Sequence, residues 1–158
     1  MSLLFSLFIY LFYRSEQTVV NEIFQFLFTG ELYFHLKHII STTILLPNFL
    51  VFSLPEGLWV LAVTIASKNF FLKINGRSFQ LAITPVIIAI SLELFQLGGI
   101  TNGTFDWWDL MSAISFWSAG YFLLPNASNK QELFKRFNSN SFICLASYLV
   151  LYLSHVSV

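Results

Sequence analysis

Glu93 is the residue in this 158-residue chain with the strongest claim to chemistry, because it interrupts an apolar stretch about one helical turn before that stretch ends at Leu97-Gly98. An ionisable side chain there costs roughly 2–3 kcal/mol near a bilayer centre and less near its surface, so it is expected to face protein or a hydrated cavity. Gln96 follows on the same helical face, and a short hairpin loop returns the chain to Asp106 and Asp109. The spacing predicts that these four polar groups meet at one end of a helical hairpin. Three kinds of chemistry suit them. Hydrogen bonding would hold a lipid, glycan or amphiphile. In a membrane-embedded hydrolase or transferase, Glu93 could act as general acid or base beside aspartates that orient water or a metal. Glu93 could instead pair with a cation on another chain.

Other acids have simpler explanations beside their functional ones. Ser53-Leu-Pro-Glu56 reads as a capping box with proline in the first helical turn, so Glu56 is both a site candidate and an expected cap. Asp106 and Asp109 suit an N-cap and a first-turn acid, where backbone N–H groups and the helix dipole favour negative charge. Glu31, His35 and His38 share a face at zinc-compatible spacing, but a polar stripe on an interfacial helix accounts for them without metal. No cofactor is expected. Serines are scattered, the single cysteine (Cys144) lies mid-helix and the histidines match no hydrolytic pattern, so a non-catalytic role is favoured. Without a polybasic tract or glycine-rich phosphate loop, no nucleic-acid partner is expected. Membrane lipid and a membrane protein partner are.

The elements that must position these residues follow from composition. The chain is 56% hydrophobic and 10% charged, with a mean hydropathy of +0.72, against roughly a quarter charged in soluble domains. A spanning helix needs about 20 apolar residues. The expected fold is all-α, a single membrane domain with a polytopic helix bundle of about five spans near 2–13, 55–73, 79–97, 107–124 and 137–155; four spans, without the short first one, is the alternative. Residues 14–54 form an outer amphipathic helical segment, with Asn21, Glu22, Gln25 and Thr29 on its polar side and Gly30 as a helix stop. Asn75-Gly76, Gly98-Gly99, Asn102-Gly103 and Pro125-Asn126 mark turns. Pro85 is expected to kink the third span, Trp59, Trp107 and Trp108 to anchor at the interface, and Trp117 to pack inside.

Basic residues set the orientation. Lys68, Lys73 and Arg77 mark one loop, and Lys130, Lys135 and Arg136 another two spans later, so both are placed in the cytoplasm. The N-terminus is then expected in the cytoplasm and the C-terminus outside. Seven of the eight acids (Glu16, Glu22, Glu31, Glu56, Glu93, Asp106, Asp109) fall outside with Arg14, Lys37 and all three histidines, and Glu132 alone falls inside.

Glu93-Leu-Phe-Gln96 followed by Gly103-Thr-Phe-Asp106-Trp-Trp-Asp109-Leu resembles the VanZ-like family of small bacterial membrane proteins. That family carries ExxQ near the end of one span, then GR-x-x-D-x-x-D leading into the next. The likeness covers about residues 92–121 and assigns Glu93, Gln96, Asp106 and Asp109 to signature positions. It departs at Thr104, where the family usually has arginine, and at Ala113, where it often has asparagine. The family's Asp-Lys-x-x-His motif at an earlier span is replaced by Leu54-Pro-Glu56-Gly-Leu-Trp59. The resemblance implies a cell-envelope role in the cytoplasmic membrane of a bacterium, the family name coming from low-level resistance to teicoplanin, and no known reaction.

Overall fold

A computed structural model describes residues 2–13, 19–101, 104–125, 130–135 and 137–155. The expected turn at Asn102-Gly103, Asn126 and the charges Arg14, Glu16 and Arg136 lie outside the described residues, as does the side chain of His155. The chain is mostly helical, with α1 (Ser2–Tyr13), α2 (Val19–Phe28), α3 (Gly30–Thr43), α4 (Asn48–Ser67), α5 (Thr84–Leu97), α6 (Trp107–Ser118) and α7 (Ser139–His155). Strands β1 (Phe70–Ile74), β2 (Arg77–Gln80) and β3 (Gln131–Glu132) form a small sheet in the order β2-β1-β3.

That sheet corrects the all-α expectation. Asn75 and Gly76 both take positive φ, 49° and 79°, the pairing a type I′ turn requires, so Phe70–Ile74 folds back on Arg77–Gln80 as an antiparallel hairpin. The expected spans 55–73 and 79–97 are thereby shortened at the ends nearest this turn. Among the described residues one helix, α4, is long and apolar enough to cross a membrane; α1, residues 81–97 and the start of α7 are apolar but shorter. Two further expectations change. The break after α2 falls at Thr29 (φ 57°) and Gly30 opens α3. Pro85 sits in the first turn of α5, where its missing N–H costs nothing, and so starts that helix without kinking it.

Helix directions follow from the polar contacts. The Ser112 hydroxyl donates to the Ser53 carbonyl at 2.8 Å. Gly57 faces Phe116, and Thr64 faces Gly120. The Lys68 ammonium donates to the carbonyls of Gly120 (3.1 Å), Tyr121 (2.7 Å) and Leu124. This ascending register makes α4 and α6 parallel neighbours. Helix α1 runs against α4, with Ser6 donating to Pro55 O and Tyr13 to Ile44 O. Helix α5 runs against α6, with Trp117 Nε1 donating to Ala82 O at one end and Glu93 meeting Asp106 at the other. Helix α7 leaves the sheet and lies beside α4, where the Ser67 hydroxyl donates to Tyr148 Oη at 3.1 Å and Tyr148 donates to Leu81 O.

Trp59, Val60, Val63, Ala89 and Ala113 fill the centre of the bundle, with Trp117 packed against them as expected. A second apolar cluster, Phe70, Leu81, Leu133 and Cys144, seats the sheet on the helices. Both basic loops meet in that sheet, since β3 lies parallel to β1. On α3, the Tyr33 phenol donates to Leu11 O at 2.8 Å, and burial raises its pKa, which keeps it a donor.

Candidate functional site

The site forms where α5, α6 and α4 meet, away from the sheet. Asp106 caps α6, accepting from the Trp108 N–H at 2.8 Å, as its sequence position predicts. Its own backbone N–H donates to Glu93 Oε2 at 3.1 Å across the hairpin. Glu93 is 5% exposed, and the charges acting on it are carboxylates, those of Asp109, Glu56 and Asp106. The structure thus brings Glu93, Asp106 and Asp109 together.

Glu56 joins them for a reason other than the expected one. Helix α4 starts at Asn48, after Pro47, and not at Ser53; Pro55 and Glu56 are interior. Glu56 therefore does not cap α4. It lies about 12 Å along the helix from its first residue, is buried, and accepts from Trp59 Nε1 at 2.7 Å. Trp59 is correspondingly 2% exposed and no interfacial anchor, whereas Trp107 and Trp108 are exposed. Glu56 and Trp59 stand three residues apart on one helical face, and that spacing was the legible sign of their bond. Gln96 is the exception among the predicted site residues. Half-buried on the next turn, its side chain makes no hydrogen bond to Glu93 among the described residues, so the expected Glu93–Gln96 unit does not form.

Glu31, His35 and His38 are all exposed on α3, and among the described residues no group of three or more His, Cys, Asp or Glu is arranged to hold a metal ion. Comparison with models of known protein families, with curated proteins and with solved structures finds no match to this chain. The site must be read from its own chemistry. Several carboxyl groups converging in a largely buried place repel phosphate and carboxylate and favour ammonium or hydroxyl donors.

The two roles of Asp106 separate by substitution. Asp106→Asn keeps the capping oxygen and should leave thermal unfolding nearly unchanged, while Asp106→Ala should cost about 1 kcal/mol. Equal losses in both variants would mean that the charge, not the cap, stabilises this end.

Proposed function

We propose that this chain is a polytopic membrane protein of the VanZ-like kind, with a cell-envelope role, that binds a donor-rich lipid, glycan or amphiphile headgroup in the acidic site. The observation that carries the reading is Glu93, buried and bonded to Asp106 across the hairpin with Glu56 and Asp109 beside it. A buried carboxylate of this kind is expensive to maintain without a role.

The membrane reading draws support from an inverted surface. Phe26 (88% exposed), Leu45 (85%) and Leu123 (80%) point outward, while Asn21, Glu56, Thr64, Ser67, Lys68 and Glu93 are buried. Apolar exposure on this scale suits hydrocarbon as the solvent. Alternating directions of α1, α4, α5, α6 and α7 agree with five passes, and the acids and the basic loops then face opposite sides. Short helices are accommodated by local thinning of the bilayer.

Glu93→Gln keeps shape and hydrogen bonding but removes the charge. Native mass spectrometry of the purified chain, with phosphatidylethanolamine, a diglucosyl lipid and phosphatidylcholine as probes, should show retention of at least one donor-rich lipid over phosphatidylcholine. The substitution should lower that retention about tenfold or more, equivalent to the roughly 1.5–3 kcal/mol of one charged hydrogen bond. Retention unchanged by Glu93→Gln, or equal for all three lipids, would sink the binding role.

A further inference from the structure

The hairpin at the basic end carries an apolar surface that the protein itself does not cover. Phe70 and Leu72 lie on the face of β1 that packs toward Leu81, Leu133 and Cys144. Strand alternation puts Ile74 on that same face, and cross-strand pairing adds Phe79 opposite Leu72 and Arg77 opposite Ile74. Ile74 and Phe79 are each 54% exposed. The face that seals the helix ends therefore continues outward past them, still apolar, and finishes in a cation. Lys73 projects from the opposite face, and exposed Lys130 and Lys135 flank β3. Phe134, beside Lys135, is 71% exposed.

We infer that this sheet is a docking platform for the acidic headgroup layer of the bilayer that holds the helices. Two observations choose that occupant over a protein partner. The uncovered face is continuous with the cover over the helix ends and points toward the same side, which places Ile74 and Phe79 at the level where headgroups meet acyl chains. The surrounding charges are cations, with Glu132 half-buried as the acid of the sheet, so charge complementarity calls for an anionic surface. Arg77 and the lysines reach phosphates while their stems lie along apolar surface. The sheet would fix the depth of the bundle and hold its basic end against an acidic leaflet.

The inference rests on the membrane reading, and the test separates the two. Ile74→Cys is labelled with bimane in the full chain, the unsubstituted chain serving as control because Cys144 is buried. The protein is reconstituted into phosphatidylcholine vesicles containing equal fractions of brominated phosphatidylglycerol or brominated phosphatidylcholine. Resistance to carbonate extraction reports membrane integration. The label should be quenched more by the brominated acidic lipid, and the preference should fall with salt. Each of Lys73→Gln, Arg77→Gln, Lys130→Gln and Lys135→Gln should lower it up to about fivefold at low ionic strength. An integrated protein whose label is quenched equally by both lipids, or by neither, overturns the platform and leaves the membrane reading standing. Complete carbonate extraction would end both.

Discussion

Replacing Gly57 with leucine is expected to separate α4 from α6 and to cost on the order of 3 kcal/mol or more, a net loss despite the better helix propensity of leucine. A Cβ at position 57 would stand 2.3 Å from Phe116 Cδ2 and 2.4 Å from Ser112 Oγ. Neither neighbour yields cheaply. Ser112 holds the Ser53 carbonyl, and Phe116 is a rigid ring. On the proposed membrane reading no water is expelled from between apolar helices, and such close backbone approach is what drives their association. Gly57→Ala should show the milder form, about 1–3 kcal/mol in thermal unfolding of the detergent-solubilised chain, and Phe116→Ala in the same chain should restore part of it. If Gly57→Ala is as stable as the parent, α4 and α6 do not approach as described.

Lys68→Met should cost about 3 kcal/mol in the same measurement. The Lys68 ammonium is buried and satisfies three carbonyls at the π-helical turn Ala119–Leu123 and just beyond it. The carbonyls that close a helix have no partner within it, and a cation there answers both the dipole and the open acceptors. Methionine keeps the apolar stem and removes every donor. Relief from burying a charge offsets part of the loss, and stranded acceptors at about 1–3 kcal/mol each outweigh it. Hydrogen exchange should quicken at residues 119–124 before it does elsewhere. Arginine is a poor replacement, because its planar fork does not converge on three carbonyls as an ammonium does. Unchanged stability in Lys68→Met would show that the clamp contributes nothing.

The apolar helices and the Asp106 cap were legible because each depends on residues close in sequence. So was the meeting of Glu93 with Asp106 and Asp109, since a short hairpin leaves its two ends few alternatives. Glu56 shows where local reading fails. Ser53-Leu-Pro-Glu56 has the chemistry of a helix start, yet Asn48–Leu54 is apolar enough for the helix to begin two turns earlier, and Pro55 is carried inside it. The sheet was missed for a related reason. Phe70–Ile74 and Phe79–Ile83 prolong the neighbouring apolar runs, so hydropathy counted them as helix although Asn75-Gly76 between them is a strong hairpin signal. In the sequence Lys68 marks only sidedness. Its burial depends on α6 ending beside it, some fifty residues later, which no local pattern encodes.

That separation has a consequence for how the chain is made. Helix α4 finds its parallel neighbour only after the intervening hairpin and α5 have been synthesised, since Ser118 follows Ser67 by about fifty residues. At roughly 5–20 residues per second, a ribosome takes about 3–10 s to supply them. During that interval the Gly57 notch faces whatever is adjacent and the Lys68 ammonium lacks the carbonyls it will hold. On the proposed membrane reading, biogenesis depends on the insertion machinery keeping α4 at its side, or near the aqueous surface, until α6 arrives.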